Sequence, residues 1–120
     1  MTVRRISPGA LNRILEGALK EPMRCFIKFY SNTCPYCIRL KPGFDSLAEE
    51  NQEAHFFAFN IEDDLTVPQR LSFKGVPTIA YVNAHLPVKV ETLDDPDEPH
   101  EDLWYHPQDI VDFVKGRLHE

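Results

Sequence analysis

Apolar positions follow two rhythms along the chain. Residues 25–30 (Cys-Phe-Ile-Lys-Phe-Tyr) form a nearly continuous apolar run of strand length, the pattern of a strand covered on both faces. Residues 56–61 repeat that pattern, 78–82 give a third strand, and 88–92 a fourth after a turn over 83–87. Residues 3–6 read as one more short strand. Between these runs the spacing turns helical. Ser7 stands as an N-cap with Pro8 in the first turn, and Leu11, Ile14, Leu15, Ala18 and Leu19 share one face until Pro22 ends the helix. A long helix over 34–50 turns Leu40, Phe44, Leu47 and Ala48 inward, with a kink expected near Pro42. Thr66 and Gln69 have capping-box spacing for a short helix that Gly75 terminates. Pro107 and Asp109, followed by Ile110, Val111, Phe113, Val114 and Leu118, open a last helix.

Strands alternating with helices predict an α/β fold, its last two strands joined by a short turn and paired antiparallel. A length of 120 residues gives one domain over 1–120. A chain of this size buries roughly two-thirds of its unfolded surface, so neither a disulfide frame nor a metal is needed for folding. A hydrophobic fraction of 42% with 11% aromatics excludes disordered and collagen-like classes.

Charge changes the picture in one place. Seven acids lie between Glu91 and Asp102 with no Lys or Arg, and without them the net charge of −6 becomes +1. The proline-broken stretch 94–102 therefore reads as an acidic loop inserted in the domain, most simply a solvated face. Its Asp95-Pro-Asp-Glu-Pro-His100 order lacks the glycine a calcium loop requires at its sixth position. No basic patch with interleaved aromatics points to nucleic acid, and the apolar runs are too short for a membrane span. The opening Met1-Thr-Val-Arg-Arg5 carries neither an apolar secretory core nor a cleavage-site pattern, so a cytoplasmic location is expected.

Three cysteines are present, and two of them make Cys34-Pro35-Tyr36-Cys37 directly after a strand and at the start of a helix. A helix's first-turn N–H groups and dipole stabilise an anion there, which favours a thiolate at Cys34. Cys37 lies one turn further on the same face, within disulfide reach. An attacking thiolate beside a thiol that resolves the mixed disulfide is a dithiol–disulfide exchange device. Pro35 has no N–H to lose in the first turn. A structural zinc site would need two more ligands, and the five histidines show no ligand spacing, so no metal is expected. Cys25, inside an apolar strand, reads as core.

The segment Lys28-Phe-Tyr-Ser-Asn-Thr-Cys-Pro-Tyr-Cys37 with Pro42, and Lys74-Gly-Val-Pro-Thr-Ile79 about 40 residues beyond the cysteines, resembles the thioredoxin family over most of the chain. The resemblance implies the thioredoxin fold, a central mixed sheet of four to five strands flanked by about four helices. It implies a protein dithiol–disulfide oxidoreductase with Cys34 as nucleophile and Cys37 as resolving thiol. It further implies a cis bond before Pro77, facing the cysteines, and a Val76 backbone that pairs with substrate by strand addition. Thr33 and Tyr36 would flank that substrate. No cofactor beyond the redox pair is implied. The implied partners are disulfide-containing proteins and an electron donor, either a thioredoxin reductase-like enzyme or glutathione, with the chain a monomer.

The sequence departs from the family pattern at three positions. Thr33 replaces the tryptophan before the first cysteine, and Pro35-Tyr36 is similar to the dipeptide of glutaredoxins. Lys28 stands where thioredoxins place a buried acid beneath the second cysteine. Two readings of Lys28 stay open: a cation that tunes the thiols, or a side chain that snorkels to solvent. Tyr30 and Tyr36 read as packing residues, with Tyr36 exposed enough to touch substrate. No glycine-rich glutathione-binding turn follows the third strand, where Val82-Asn-Ala-His-Leu-Pro87 stands instead. A glutathione-dependent, glutaredoxin-like enzyme and a partner-binding module are the two alternative functions.

Overall fold

The computed structural model describes residues 2–119; Met1 and Glu120, the ends of the expected domain, lie outside the described residues. Five strands, β1 (Val3–Arg5), β2 (Arg24–Tyr30), β3 (His55–Asn60), β4 (Thr78–Asn83) and β5 (Lys89–Thr92), form one sheet in the order β1-β3-β2-β4-β5. β1, β3 and β2 run parallel, whereas β4 is antiparallel to β2 and β5 to β4. The helices are α1 (Pro8–Glu16), α2 (Pro35–Glu50), α3 (Val67–Arg70) and α4 (Pro107–Leu118), with a 3-10 turn at Ile61–Asp63.

The central position of β2 explains its composition. Alternate side chains point to opposite faces, and both faces are covered. Phe26 goes to one side, with Phe44 and Leu47 of α2 and Ile110, Phe113 and Val114 of α4. Cys25, Ile27 and Phe29 go to the other, with Leu11 and Ile14 of α1 and Val67 of α3. Phe26 stacks on Phe56 at 5.1 Å and meets Phe113 edge-on at 6.0 Å, which adds aromatic geometry to simple burial. Full burial holds the Cys25 thiol up at about 12, so it is a packed core residue.

Two helix boundaries differ from expectation. α1 begins as predicted, with the Ser7 hydroxyl accepting from the Ala10 N–H at 3.1 Å, but it ends at Glu16 and not near Pro22. Gly17 takes the left-handed conformation (φ 67°), and the Ala18 N–H turns back to the Arg13 carbonyl at 2.9 Å. Leu19 still packs beside the core from the following loop. α3 is not capped by Thr66, which has helical backbone angles and makes no side-chain cap. Thr66 instead donates both its N–H and its hydroxyl to Asp64, holding that carboxyl below its usual value. The helix stops at Arg70, before Gly75, and Ser72 follows at φ 61°. Pro42 lies inside α2, which runs unbroken from Pro35 to Glu50.

Candidate active site

β2 ends at Tyr30 and delivers the chain, through four residues, to the start of α2. Cys34 is the N-cap, with extended backbone, and its Sγ accepts from the Cys37 N–H at 3.1 Å. The two sulfurs are bonded across a Cα–Cα distance of 5.2 Å, inside the ordinary disulfide range. Both cysteines are buried. The N–H that now meets Cys34 Sγ is also the donor that would stabilise a thiolate once the disulfide opens. The loop before Cys34 is pinned from the end of β3 and the 3-10 turn after it. Buried Asn60 donates to the Asn32 side chain at 2.9 Å, and Glu62 accepts from the Asn32 N–H at 2.7 Å. Neither residue stood out in the sequence, because an asparagine closing an apolar strand reads only as a turn signal.

The Val76–Pro77 bond is cis. β4 starts at the next residue, and Thr78 pairs with Phe29 of β2. Antiparallel register therefore places Pro77 beside the end of β2 that leads to Cys34. The Thr78 hydroxyl donates to the Gly75 carbonyl at 2.6 Å and ties this corner together. Pro77 is buried, Val76 half-buried and Thr33 exposed. A second cis bond, Leu86–Pro87, lies in the β4–β5 turn, where no sequence signal pointed to it.

Lys28 does not snorkel to open solvent. It is only 4% exposed, on the same face of β2 as Phe26, and its Nζ lies 5.4 Å from the Phe44 ring and 6.0 Å from the Tyr30 ring. Burial lowers its pKa below the ordinary lysine value, with Asp45 opposing and Lys41 adding to the shift. Lys28 and Cys37 line one cleft of about 350 Å³, walled by Val3, Tyr30, Ile38 and Ala58 and edged by Arg5 and Lys41.

Tyr36 is half-buried rather than freely exposed, because Trp104, just past the acidic stretch, packs against it. Its ring meets Trp104 edge-on at 5.7 Å and carries the Arg39 guanidinium at 5.3 Å, and Arg39 in turn donates to the Asp102 carbonyl. The Trp104 indole N–H reaches Asp95 at 3.3 Å. His100 and Trp104 bridge antiparallel, and His100 Nδ1 accepts from the N–H groups of Asp102 and Leu103, each at 3.1 Å. Behind this turn Tyr105 is buried, its hydroxyl donating to the Leu93 carbonyl, and burial pushes its pKa up to about 12. The stretch over 94–102 is thus a loop, as expected, but one fastened beside the cysteines. Trp104 is the neighbour of Tyr36 that sequence reasoning missed; as the sole tryptophan, just past the acids, it was the available signal.

No group of three His, Cys, Asp or Glu is arranged to hold a metal ion among the described residues. The family model named Thioredoxin matches residues 13–102, three-quarters of the chain and including both cysteines and Pro77. This chain belongs to the thioredoxin family. Thioredoxin-2, mitochondrial, of Schizosaccharomyces pombe is 34% identical over 53 residues, covering 44% of this chain and 40% of that protein's length. Among solved structures, the Trx4 domain of ERdj5 superposes with a TM-score of 0.75 at 15% identity, covering 98% of this chain and 96% of the other. A poplar thioredoxin h gives 0.74 at 14% identity, with 100% and 99% covered. Chloroplastic thioredoxin z gives 0.69 at 17%, with 100% and 97% covered. At these identities the structural likeness speaks for the thioredoxin fold, which the five-stranded sheet and four helices match.

Proposed function

We propose that this protein is a dithiol–disulfide oxidoreductase of the thioredoxin type, acting on disulfide-containing proteins. The observation that carries the reading is the Cys34–Cys37 pair at the start of α2, with the Cys37 N–H aimed at Cys34 Sγ. In the dithiol form the Cys34 thiolate attacks one sulfur of a substrate disulfide, and the other substrate sulfur leaves as a thiolate. Cys37 then attacks Cys34 Sγ, forming the internal disulfide and releasing the second substrate thiolate. Two electrons pass to the substrate, and an external reductant restores the dithiol. The electrons travel on the protein's own sulfurs, so no further cofactor enters.

The remaining roles follow from position. Val76 and Pro77 would seat an extended substrate segment beside Cys34, with Thr33 and Tyr36 at its edge. Lys28, below Cys37, would tune the thiols through its charge. Turnover as a monomer in the cytoplasm, as part of electron transport that maintains redox balance, completes the proposal; a single buried, unpaired Cys25 suits a reducing compartment. Pro35-Tyr36 favours a second reading, in which glutathione supplies the electrons.

Insulin-disulfide reduction tests these readings directly. Turnover with NADPH and a thioredoxin reductase supports the first, and turnover only with glutathione and glutathione reductase supports the second. Failure with both donors would leave a partner-binding module. Cys34→Ser should abolish turnover, whereas Cys37→Ser should accumulate mixed disulfides. Faster alkylation of Cys37 than of Cys34 in the reduced protein would reverse the assigned roles.

A further inference from the structure

We infer that the cleft beside Cys37 is a binding site for a small organic carboxylate with an apolar body. Three cations line it, and two already have partners. Arg5 pairs with Asp63 at 2.8 Å, and Lys41 pairs with Asp45 at 2.8 Å. Lys28 is the third. It is 96% buried and has no ion pair or hydrogen bond among the described residues; its amine lies over the Phe44 and Tyr30 rings, and the Asp45 carboxylate that lines the same cleft acts on it only from beyond contact. A buried ammonium with no anion in contact is costly, and ring faces with a carboxylate already paired to Lys41 recover only part of what water supplied. The lowered pKa of Lys28 records that cost, and an anion drawn to the amine would offset it.

The shape of the cleft selects the rest of the ligand. Its volume of about 350 Å³ lies at the small end of the range for ligand sites. Its apolar walls, Val3, Tyr30, Ile38 and Ala58, suit a ring or short hydrocarbon chain. The one lining cation without a contact ion pair matches one carboxylate. Cys37 lines the cleft and Cys34 does not, so an occupant lies beside Cys37 rather than Cys34. The site is separate from the Val76–Pro77 edge assigned to protein substrates.

The test uses the full chain in its disulfide form, with sodium benzoate as the probe and benzyl alcohol as its uncharged counterpart. Ionic strength is held constant with sodium chloride. Backbone amide shifts are followed by NMR. Saturable benzoate shifts centred on Ser31, Asn32, Cys37, Ile38 and Ala58 are expected, with benzyl alcohol at least tenfold weaker, as loss of a charge-assisted contact implies. Lys28→Met should weaken benzoate about tenfold and leave benzyl alcohol unchanged. Benzoate shifts that are scattered or do not saturate would overturn the inference. So would equal binding of the two probes by the wild type, a comparison that does not depend on any variant folding. Unaltered benzoate affinity in a folded Lys28→Met protein would overturn it as well. Reduction of insulin is not a readout here, so failure of this site and failure of the proposed activity are separately visible.

Discussion

Lys28→Met is the perturbation from which most can be calculated. Methionine keeps a long unbranched chain against Phe44 and removes the charge, so packing is nearly conserved while a desolvated ammonium disappears. In the wild type Lys28 is 4% exposed, and burial is the largest cause of its lowered pKa. Replacing a buried ionic group with apolar volume of similar size stabilises by up to about 1–4 kcal/mol, and the Asp45 carboxylate, in contact with Lys41 and not with Lys28, offsets only part of that here. The pH dependence follows from the direction of the shift. Below the folded-state pKa the amine is charged in both states, and the wild type bears the whole desolvation cost. Between that value and the unfolded 10.5 the unfolded chain binds more protons, so wild-type stability rises with pH. The gap between the proteins should therefore be widest near neutrality and close as pH approaches 10.5. Urea denaturation of both disulfide forms at pH 7 and near pH 10 measures it, with the Met variant's midpoint higher by on the order of 1 M at pH 7. Cys25 and Tyr105, held at about 12, titrate alike in both proteins and cancel. A Met variant no more stable at neutral pH, or a gap indifferent to pH, would refute the account. In the reduced protein the loss of the cation should lower Cys34 thiolate absorbance at a given pH. It should also make the potential more negative, by about 30 mV for each tenfold change in the exchange equilibrium.

Three further outcomes are expected. Gly17→Ala should destabilise by about 1–2 kcal/mol rather than stabilise, because φ is 67° and a Cβ would lie 2.7 Å from Leu86 Cδ2; thermal and urea unfolding report the sign. Asn60→Ala should cost about 1–3 kcal/mol and speed hydrogen exchange at Asn32 and Glu62, since it deletes both the Asn32 contact and the acceptor for the Glu62 N–H. Replacing 94–102 with a short Gly/Ser turn should leave reduction of a small disulfide intact while lowering stability, because the Asp95, Glu98 and Asp102 acceptors used by Trp104, His106 and Arg39 are lost. A comparable loss of small-disulfide reduction would show that the segment shapes the reactive pair itself.

What the sequence determined by itself was whatever a few neighbouring residues can encode. The apolar run of β2, the Ser7–Pro8 start of α1 and the Cys34–Pro35 start of α2 each carry their reason within one turn or one strand. The Cys34–Cys37 pairing belongs with them, because four residues at a helix start set its distance. Local signals failed where two local solutions competed. Gly17 stopped α1 before Pro22 could, because a left-handed residue satisfies the last carbonyls at once. Asp64 took the Thr66 hydroxyl that a capping box required. The tertiary structure alone decided the rest. Lys28 had two readings until strand order put β2 in the sheet centre and closed α2 over it; burial of a given side chain depends on what crosses it, not on its own neighbours in sequence. The acidic stretch looked like a solvated insertion because its charges repel and its prolines break helices. Its path was set instead by Trp104 meeting Tyr36 and by Arg39 reaching the Asp102 carbonyl, contacts between residues far apart in the chain. The cleft beside Cys37 belongs to the same class, since β1, β2, β3 and α2 each supply part of its wall and no one of them encodes it.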